Sequence, residues 1–315
     1  MNDQLPTRVA WFYYMENLTQ AEIAERLGLT RARVNRILSE ARESGIVQIK
    51  LNSSFSSCTA LEHALKQRCG LRDAVIIPSP ENPDLLLSAL GMAAGDYLSR
   101  FLEENRLSAI GIGWGATLRE TIRHVRPAKY PDLNVTSMMG GLTQGLELNT
   151  FEIAGELARR LQANCRYLAA PIYAASARSR DTILAQEVFG EVMERLARIE
   201  LALLSLGDLS SRSLLIRHGL PRDVSVDELR AKGAVGDVLG QFLDSAGKPI
   251  SHGINRRAIA LPLDSLAEVK TVVLIAGGTN KMRIIAAALK GGFSDVLITD
   301  EKTAAGALNL LERER

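Results

Sequence analysis

The sequence predicts an α/β domain on a parallel sheet, preceded by a small all-α unit. Three observations carry this. From Leu71 onward, short β-branched runs alternate with longer helical patterns. Residues 1–51 are rich in helix formers and lack that alternation. The chain is 315 residues long with 46% apolar and 23% charged residues, enough for a sizeable core and more than one average domain. The expected division is a helix-turn-helix unit over residues 1–51, a linker and short helix over 52–70, and an effector-type domain over 71–315.

Taken in order, Thr19 followed three residues later by Glu22 is a capping-box pattern. Ile23, Ala24 and Leu27 then share one helical face, and Gly28 falls in a turn. Thr30 is placed to cap a second helix whose Val34, Ile37 and Leu38 form its apolar face. Arg31, Arg33, Asn35 and Arg36 point elsewhere. Two short helices around a glycine turn make a helix-turn-helix. In that motif the second helix enters the major groove, where arginine bonds guanine and asparagine bonds adenine bidentately. Arg42, at the far end, suits phosphate. The alternative is a small bundle with a solvated arginine face. The strand-like IVQIKL closes the unit, and the polar NSSFSSC reads as a linker. In the segment TALEHALKQRCG, Leu61 and Leu65 lie four apart on one face, which marks Thr59 to Cys69 as a candidate subunit contact.

The strand runs that follow are DAVIIP, LSAIGIG, NVTSMMGG, RYLAAP, IELALLSLGD, VKTVVLIAGG and DVLIT. Between most of them lie helical patterns such as TFEIAGELARRLQ and KMRIIAAALKGG. This is the layout of a parallel sheet covered on both faces.

Composition narrows the function. A formal net charge of +2 gives no global case for nucleic acid, so any DNA contact must come from local placement. The three cysteines, Cys58, Cys69 and Cys165, and the four scattered histidines form no metal-type spacing, and a reduced compartment is the simple reading. No signal peptide and no membrane-length apolar stretch stand out. A cytoplasmic protein with no metal, no cofactor and no membrane partner is expected.

In combination, several segments resemble one family. The run WFYYMENLTQAEIAERLGLTRARVNRILSEARESGIVQIKL resembles the DNA-binding head of the SorC family of bacterial sugar-responsive transcriptional regulators. GIGWGATL, GDLSSRSLL, GAVGDVLGQFLDSAG and AGGTNKMRIIAAALKGGFSDVLITDE follow that family's effector domain in order. The resemblance spans nearly the whole chain. It implies a regulator of carbohydrate-utilisation genes that binds operator DNA and a sugar, sugar alcohol or sugar phosphate, usually as a homotetramer. It also implies an effector domain similar to pentose-phosphate isomerases and glucosamine-phosphate deaminases. At Asn35 the head departs from the family, where serine is common, so its base preference is not carried over.

Four loops are candidates for the effector. In GIGWGATL, Gly113 and Gly115 permit close backbone approach, and Thr117 adds a hydroxyl. Ala116 stands where the dinucleotide fingerprint needs its third glycine, so that motif is absent. A glycine-rich turn into a helix still offers N–H donors to an anion, although glycines also serve turn geometry alone. Trp114 either stacks on a sugar or belongs to the core. In MMGGLTQGLELNT, Gly141 permits close approach, and Asn149 either caps the next helix or faces ligand. Asp237, in GAVGDVLGQFLD, suits sugar hydroxyls or a structural turn. The resemblance places the family's ligand-contacting acid there. Asp208, in SLGDLS, is a weaker candidate. Lys281, in AGGTNKMRII, pairs with an anion or is an ordinary surface lysine. All four loops read as carboxyl ends of strands, where open α/β sheets bind ligands. An enzyme, a sugar-phosphate isomerase or deaminase fused to a DNA-binding head, is the competing reading. It needs a general base near the substrate carbons, and none of the four histidines lies in these loops.

Overall fold

A computed structural model describes residues 4–47, 56–142 and 149–313. The chain divides into two compact units, Met1–Ser53 and Ser54–Arg315. Most of IVQIKL, most of the serine-rich linker and the middle of MMGGLTQGLELNT fall outside the described residues, while Ile46 and Val47 form a bend.

The first unit holds three helices: α1 (Leu5–Tyr14), α2 (Gln20–Leu27) and α3 (Arg31–Glu43). Val9 and Phe12 of α1, Ile23 and Ala24 of α2, and Val34, Ile37 and Leu38 of α3 close a separate apolar core. The i, i+3, i+4 spacing of these residues is what makes each helix amphipathic.

In the second unit, α4 (Ser56–Cys69) leads into β1 (Asp73–Ile77), α5 (Leu86–Glu104), β2 (Ala109–Ile112), α6 (Ala116–His124) and β3 (Asn134–Ser137). Then come α7 (Thr150–Leu161), β4 (Asn164–Arg166), α8 (Ala177–Leu184), α9 (Glu187–Leu196), β5 (Leu201–Leu204) and β6 (Leu206–Gly207). The chain continues through α10 (Val226–Ala231), β7 (Gly236–Val238), β8 (Gln241–Leu243), β9 (Thr271–Ile275), α11 (Met282–Lys290), β10 (Val296–Asp300) and α12 (Glu301–Arg313).

Seven strands form a sheet in the order β1-β10-β9-β5-β2-β3-β4, and every pair in it is parallel. All residues of β5, β9 and β10 are buried. That is the reason their sequences are continuous apolar runs rather than alternations. From β2 the chain winds outward through β3 and β4. From β5 it winds the other way through β9 and β10. The paired strands β2 and β5 therefore flank the point where the winding reverses, and in open α/β sheets the crevice outside the carboxyl ends of such strands is where ligands bind.

Three readings from sequence need correction. A second, three-stranded antiparallel sheet, β6-β7-β8, stands beside the first. Its strands are two or three residues long, too short to show a period, and Asp237 lies within β7 rather than in a loop at a parallel strand's end. RYLAAP is not a strand, since β4 ends at Arg166. The leucines expected at a subunit contact face inward instead: Leu65 is fully buried in the domain's own core, and the partly buried Leu61 packs against it. The α4 leucines are consumed by packing on β1 and α12.

Candidate functional site

The helix-turn-helix is built by two caps and a turn. The Thr19 hydroxyl accepts the Glu22 N–H at 3.3 Å, and the Thr19 N–H donates to the Glu22 carboxylate at 2.7 Å. Gly28 adopts φ +64°, a left-handed conformation that costs glycine nothing, and this ends α2. Two residues later the Thr30 hydroxyl accepts the Arg33 N–H at 3.2 Å and starts α3. Burial of Val34, Ile37 and Leu38 turns Arg31, Arg33, Asn35, Arg36 and Arg42 outward, all exposed. Arg36 pairs with Glu40 at 3.4 Å, the Asn35 amide oxygen accepts from Gln20 at 3.3 Å, and Arg42 donates to Ser39 at 3.2 Å. Among the described residues Arg31 and Arg33 take part in no ion pair, so their guanidiniums are available to a ligand.

In the second unit GIGWGATL, SLGDLS and AGGTNKMRII leave the carboxyl ends of the adjacent strands β2, β5 and β9. Gly113 leaves the end of β2 with its N–H bonded to the Leu203 carbonyl of β5 at 2.9 Å. Gly115 then starts α6, and no side chain caps that helix. The first-turn N–H groups of Ala116 and Thr117 are thus left for an external acceptor. Trp114 is 9% exposed and packs in the main core, and Thr117 is buried.

Asp208, Asp237 and Lys281 form one electrostatic cluster. Gly207 and Asp237 are register partners between β6 and β7. A Cβ on Gly207 would sit 1.9 Å from the Asp237 Oδ1, so only glycine leaves room for that carboxylate. The Oδ2 of Asp237 accepts the Gly240 N–H at 3.1 Å, while its buried Oδ1 has no hydrogen-bond partner among the described residues. Asp208 accepts from Ser210 N–H at 2.6 Å and from the Asn280 amide at 2.5 Å, which ties it to the loop carrying the half-buried Lys281. Burial pushes the Asp237 carboxyl up to about 7. The Gly240 N–H and the Lys281 charge oppose the rise, and Asp208 adds to it. Burial lowers the Lys281 ammonium against the pull of the two aspartates.

These shifts make a test. A carboxyl raised in the folded state holds its proton while the unfolded chain, near 3.8, has lost it. Its contribution to stability is present at low pH and is lost as pH rises towards about 7. Asp237→Asn cannot titrate. Its stability, measured by urea unfolding, is expected to gain on that of the natural chain between pH 5 and pH 8. Parallel curves would contradict the assignment.

The β7–β8 turn presses on the same crevice. Leu239 and Gly240 have φ of +51° and +74°, both positive as a two-residue primed hairpin turn requires. A leucine is rare there. It is held because its side chain is buried, lying 3.4 Å from where a Cβ on Gly113 would be. Tyr173 clamps the turn by donating to the Gly240 carbonyl at 2.5 Å.

Asn149 stands apart from this cluster. It occupies the N-cap position of α7, yet its side chain does not cap. Its amide oxygen accepts the Leu142 N–H at 3.1 Å, and its amide donates to the Leu142 carbonyl at 2.9 Å. Gly141 is packed against it, and a Cβ there would meet the Asn149 oxygen at 2.4 Å. Both residues therefore shape this loop from within. Three residues not singled out from sequence support the site: Asn280, Leu239 and Asp300. Asp300 accepts the Gly278 N–H at 2.9 Å and so anchors the Lys281 loop. Of these, only Asp300 left a trace in the sequence, as an acid closing an apolar run.

Comparison with known proteins agrees with both units. The sugar-binding domain family model matches residues 53–309, and that of sigma-70 region 4 matches residues 11–44, the helix-turn-helix. The chain is 30% identical over 303 residues to the erythritol catabolism regulatory protein EryD of Brucella abortus, covering 96% of each. It is 33% identical over 304 residues to the transcriptional regulator LsrR of Escherichia coli K12, covering 96% of this chain and 93% of that one. The full-length sorbitol operon regulator SorC of Klebsiella pneumoniae superposes with a TM-score of 0.74 at 26% identity, covering 97% and 98%. These relatives are transcriptional regulators, not enzymes, which decides against the isomerase or deaminase reading. With a DNA-binding head on a sugar-binding domain, the chain belongs to the SorC family of bacterial sugar-responsive transcriptional regulators.

Proposed function

We propose that this regulator senses a hydroxyl-rich, anionic ligand of the sugar, sugar-alcohol or sugar-phosphate class at the β2/β5 crevice. The reading further assigns it to the cytoplasm as a homotetramer on operator DNA. One observation carries the ligand site: a buried carboxylate oxygen on Asp237 with no hydrogen-bond partner among the described residues. Buried polar atoms are nearly always satisfied, and a ligand hydroxyl would satisfy this one. Gly113, Gly115, Ala116 and Thr117 supply backbone N–H groups and a hydroxyl beneath an anion. Lys281 balances negative charge, and Asp208 sets the position of Asn280 beside it. Trp114 lies under the loop, while Gly141 and Asn149 shape the neighbouring wall. On the DNA side, Arg31, Arg33, Asn35 and Arg36 face base edges, Thr30 starts the reading helix, and Arg42 meets phosphate. Among the described residues no helix is long and apolar enough to cross a membrane, in keeping with a DNA-bound role. Regulation then requires that ligand bind one DNA-competence state better than the other.

Fluorescence tests the ligand site. The chain has two tryptophans, Trp11 in the head and Trp114 in the loop. A Trp11→Phe variant keeps one fluorophore at the site. Titration with sugar phosphates is expected to change its emission. Asp237→Ala is expected to weaken that titration at least tenfold, about 1.4 kcal/mol, while ligand-free DNA binding persists. An effector that binds tightly, leaves Trp114 emission unchanged and ignores Asp237→Ala would place the pocket elsewhere.

A further inference from the structure

The helix-turn-helix holds one polar contact that its packing does not require. Gln20 is the first residue of α2, and its side-chain N–H donates to the Oδ1 of Asn35, 15 residues on in α3, at 3.3 Å. Among the described residues this is the only side-chain hydrogen bond that joins the two helices. The helices are held together in the buried core, by Ile23 and Ala24 with Val34, Ile37 and Leu38. An amide–amide bond open to water adds little to that packing. The donor is nonetheless fixed. The Thr19 N–H and hydroxyl both reach the Glu22 carboxylate at 2.7 Å, which sets the backbone from which the half-buried Gln20 projects.

The contact acts on a side chain suited to a base edge. Asn35 is exposed and lies one turn after Arg31 on the same face of α3. To bond adenine bidentately, its oxygen must accept from N6 while its nitrogen donates to N7. A free asparagine on a helix turns its amide both ways and uses about two χ1 wells, so roughly one arrangement in four is competent. The Gln20 N–H selects among them by engaging one end of the amide. It takes one lone pair of Oδ1. The second lone pair and both N–H donors of Asn35 stay available to a base. Ordering the side chain before DNA arrives removes that cost from binding.

We propose that Gln20 is a positioning residue for DNA reading, which presets the Asn35 amide to bond a base edge. This rests on the assignment of Asn35 to a base edge and adds to it a residue of α2 that sets base preference without touching the base.

Base preference at a single position tests the role. Selection by the full natural chain from a randomised duplex pool supplies the duplex, and anisotropy titrations with its single base-pair variants give the preference at each position. Asn35→Ala is expected to lower the preference at one base pair of each half-site about fivefold or more. Gln20→Met keeps the length of the side chain and removes the donor. It is expected to lower the preference at that same base pair about fourfold and to leave the other positions unchanged. The double variant Gln20→Met/Asn35→Ala should lose no more there than Asn35→Ala alone, because Gln20 acts through Asn35. If thermal melting by circular dichroism shows that Gln20→Met unfolds early, Gln20→Glu takes its place. It keeps the shape of the side chain without the N–H, and the ratio between duplexes is read in the same way. A well-folded Gln20 variant with the natural preference at that base pair, or a double variant whose losses add, overturns the role of Gln20 and leaves Asn35 as a base reader. An Asn35→Ala chain with the natural preference at every base pair overturns both.

Discussion

Replacing Asp300 with alanine is expected to destabilise the ligand-binding unit by about 3–5 kcal/mol, because four neutral donors lose a charged acceptor and each hydrogen bond to a charged group contributes about 1.5–3 kcal/mol, not additively. Asp300 ends β10 and is 2% exposed. One carboxylate oxygen accepts the Gly278 N–H at 2.9 Å and the Thr303 hydroxyl at 2.6 Å. The other accepts the Ser79 hydroxyl at 2.6 Å and the Thr303 N–H at 3.3 Å. The bond from the third residue onward starts α12 as an N-cap does. Alanine would leave these donors without their acceptor, and the loop from Gly278 to Lys281 would lose its anchor. Ligand affinity is therefore expected to fall together with stability. Asp300→Asn keeps one acceptor oxygen and should lose less.

The same carboxylate predicts an acid response. Burial alone would raise it, but the bonds from Ser79, Thr303 and Gly278 outweigh burial and hold it below the usual aspartate range. Its stabilisation is present above the unfolded value of 3.8 and is lost as pH falls through the lower folded value. The gap between the natural chain and Asp300→Ala, measured by urea unfolding, should be full at pH 7 and shrink below about pH 4. A gap under about 1 kcal/mol at pH 7 would show that water replaces the carboxylate at little cost.

What sequence made visible, and what it hid, follows from the range of the interactions. The central strands β5, β9 and β10 declared themselves because burial on both faces demands continuous apolar runs such as TVVLI, whereas the edge strand β4, NCR, is too short and too polar to show one. The caps at Thr19 and Thr30 were legible because their partners are three residues away. The β7–β8 hairpin was hidden: its turn is Leu239–Gly240, without the Asn-Gly or Asp-Gly signal, and tertiary packing rather than local preference holds Leu239 at positive φ. Asn280 was hidden because its partner Asp208 lies 72 residues away, and the part of Asp300 that no local pattern shows is its reach to Ser79, 221 residues away, beyond its local bond to Thr303. Asn149 was placed correctly at a helix start, yet its bonds run back seven residues to Leu142 rather than forward into α7. Trp114 was ambiguous because a tryptophan in a glycine loop fits core and ligand alike, and only packing places it in the core.

Loss of the Arg33 side chain is expected to weaken operator binding by about 1–3 kcal/mol per half-site, so about 2–6 kcal/mol when two heads read one operator. Arg33 sits in the first turn of α3, where a helix-turn-helix reaches base edges. It is exposed and has no ion pair among the described residues, so no ion pair there competes with DNA. Arg36 is exposed too, but Glu40 holds it at 3.4 Å, an exposed pair of little strength that DNA must displace. Arg36→Ala should therefore cost no more than Arg33→Ala. Arg42 lies near the end of α3, and its loss should weaken all sequences alike and lower the salt dependence of binding. Since Val34, Ile37 and Leu38 carry the head's core on the opposite side, none of these changes should disturb folding. Anisotropy titrations with specific and scrambled duplexes at two salt concentrations separate the roles. Arg33→Ala should lower the ratio of specific to non-specific affinity, and Arg42→Ala should leave that ratio intact. If Arg33→Ala and Arg36→Ala both keep natural affinity for the operator, α3 is not the helix that reads it.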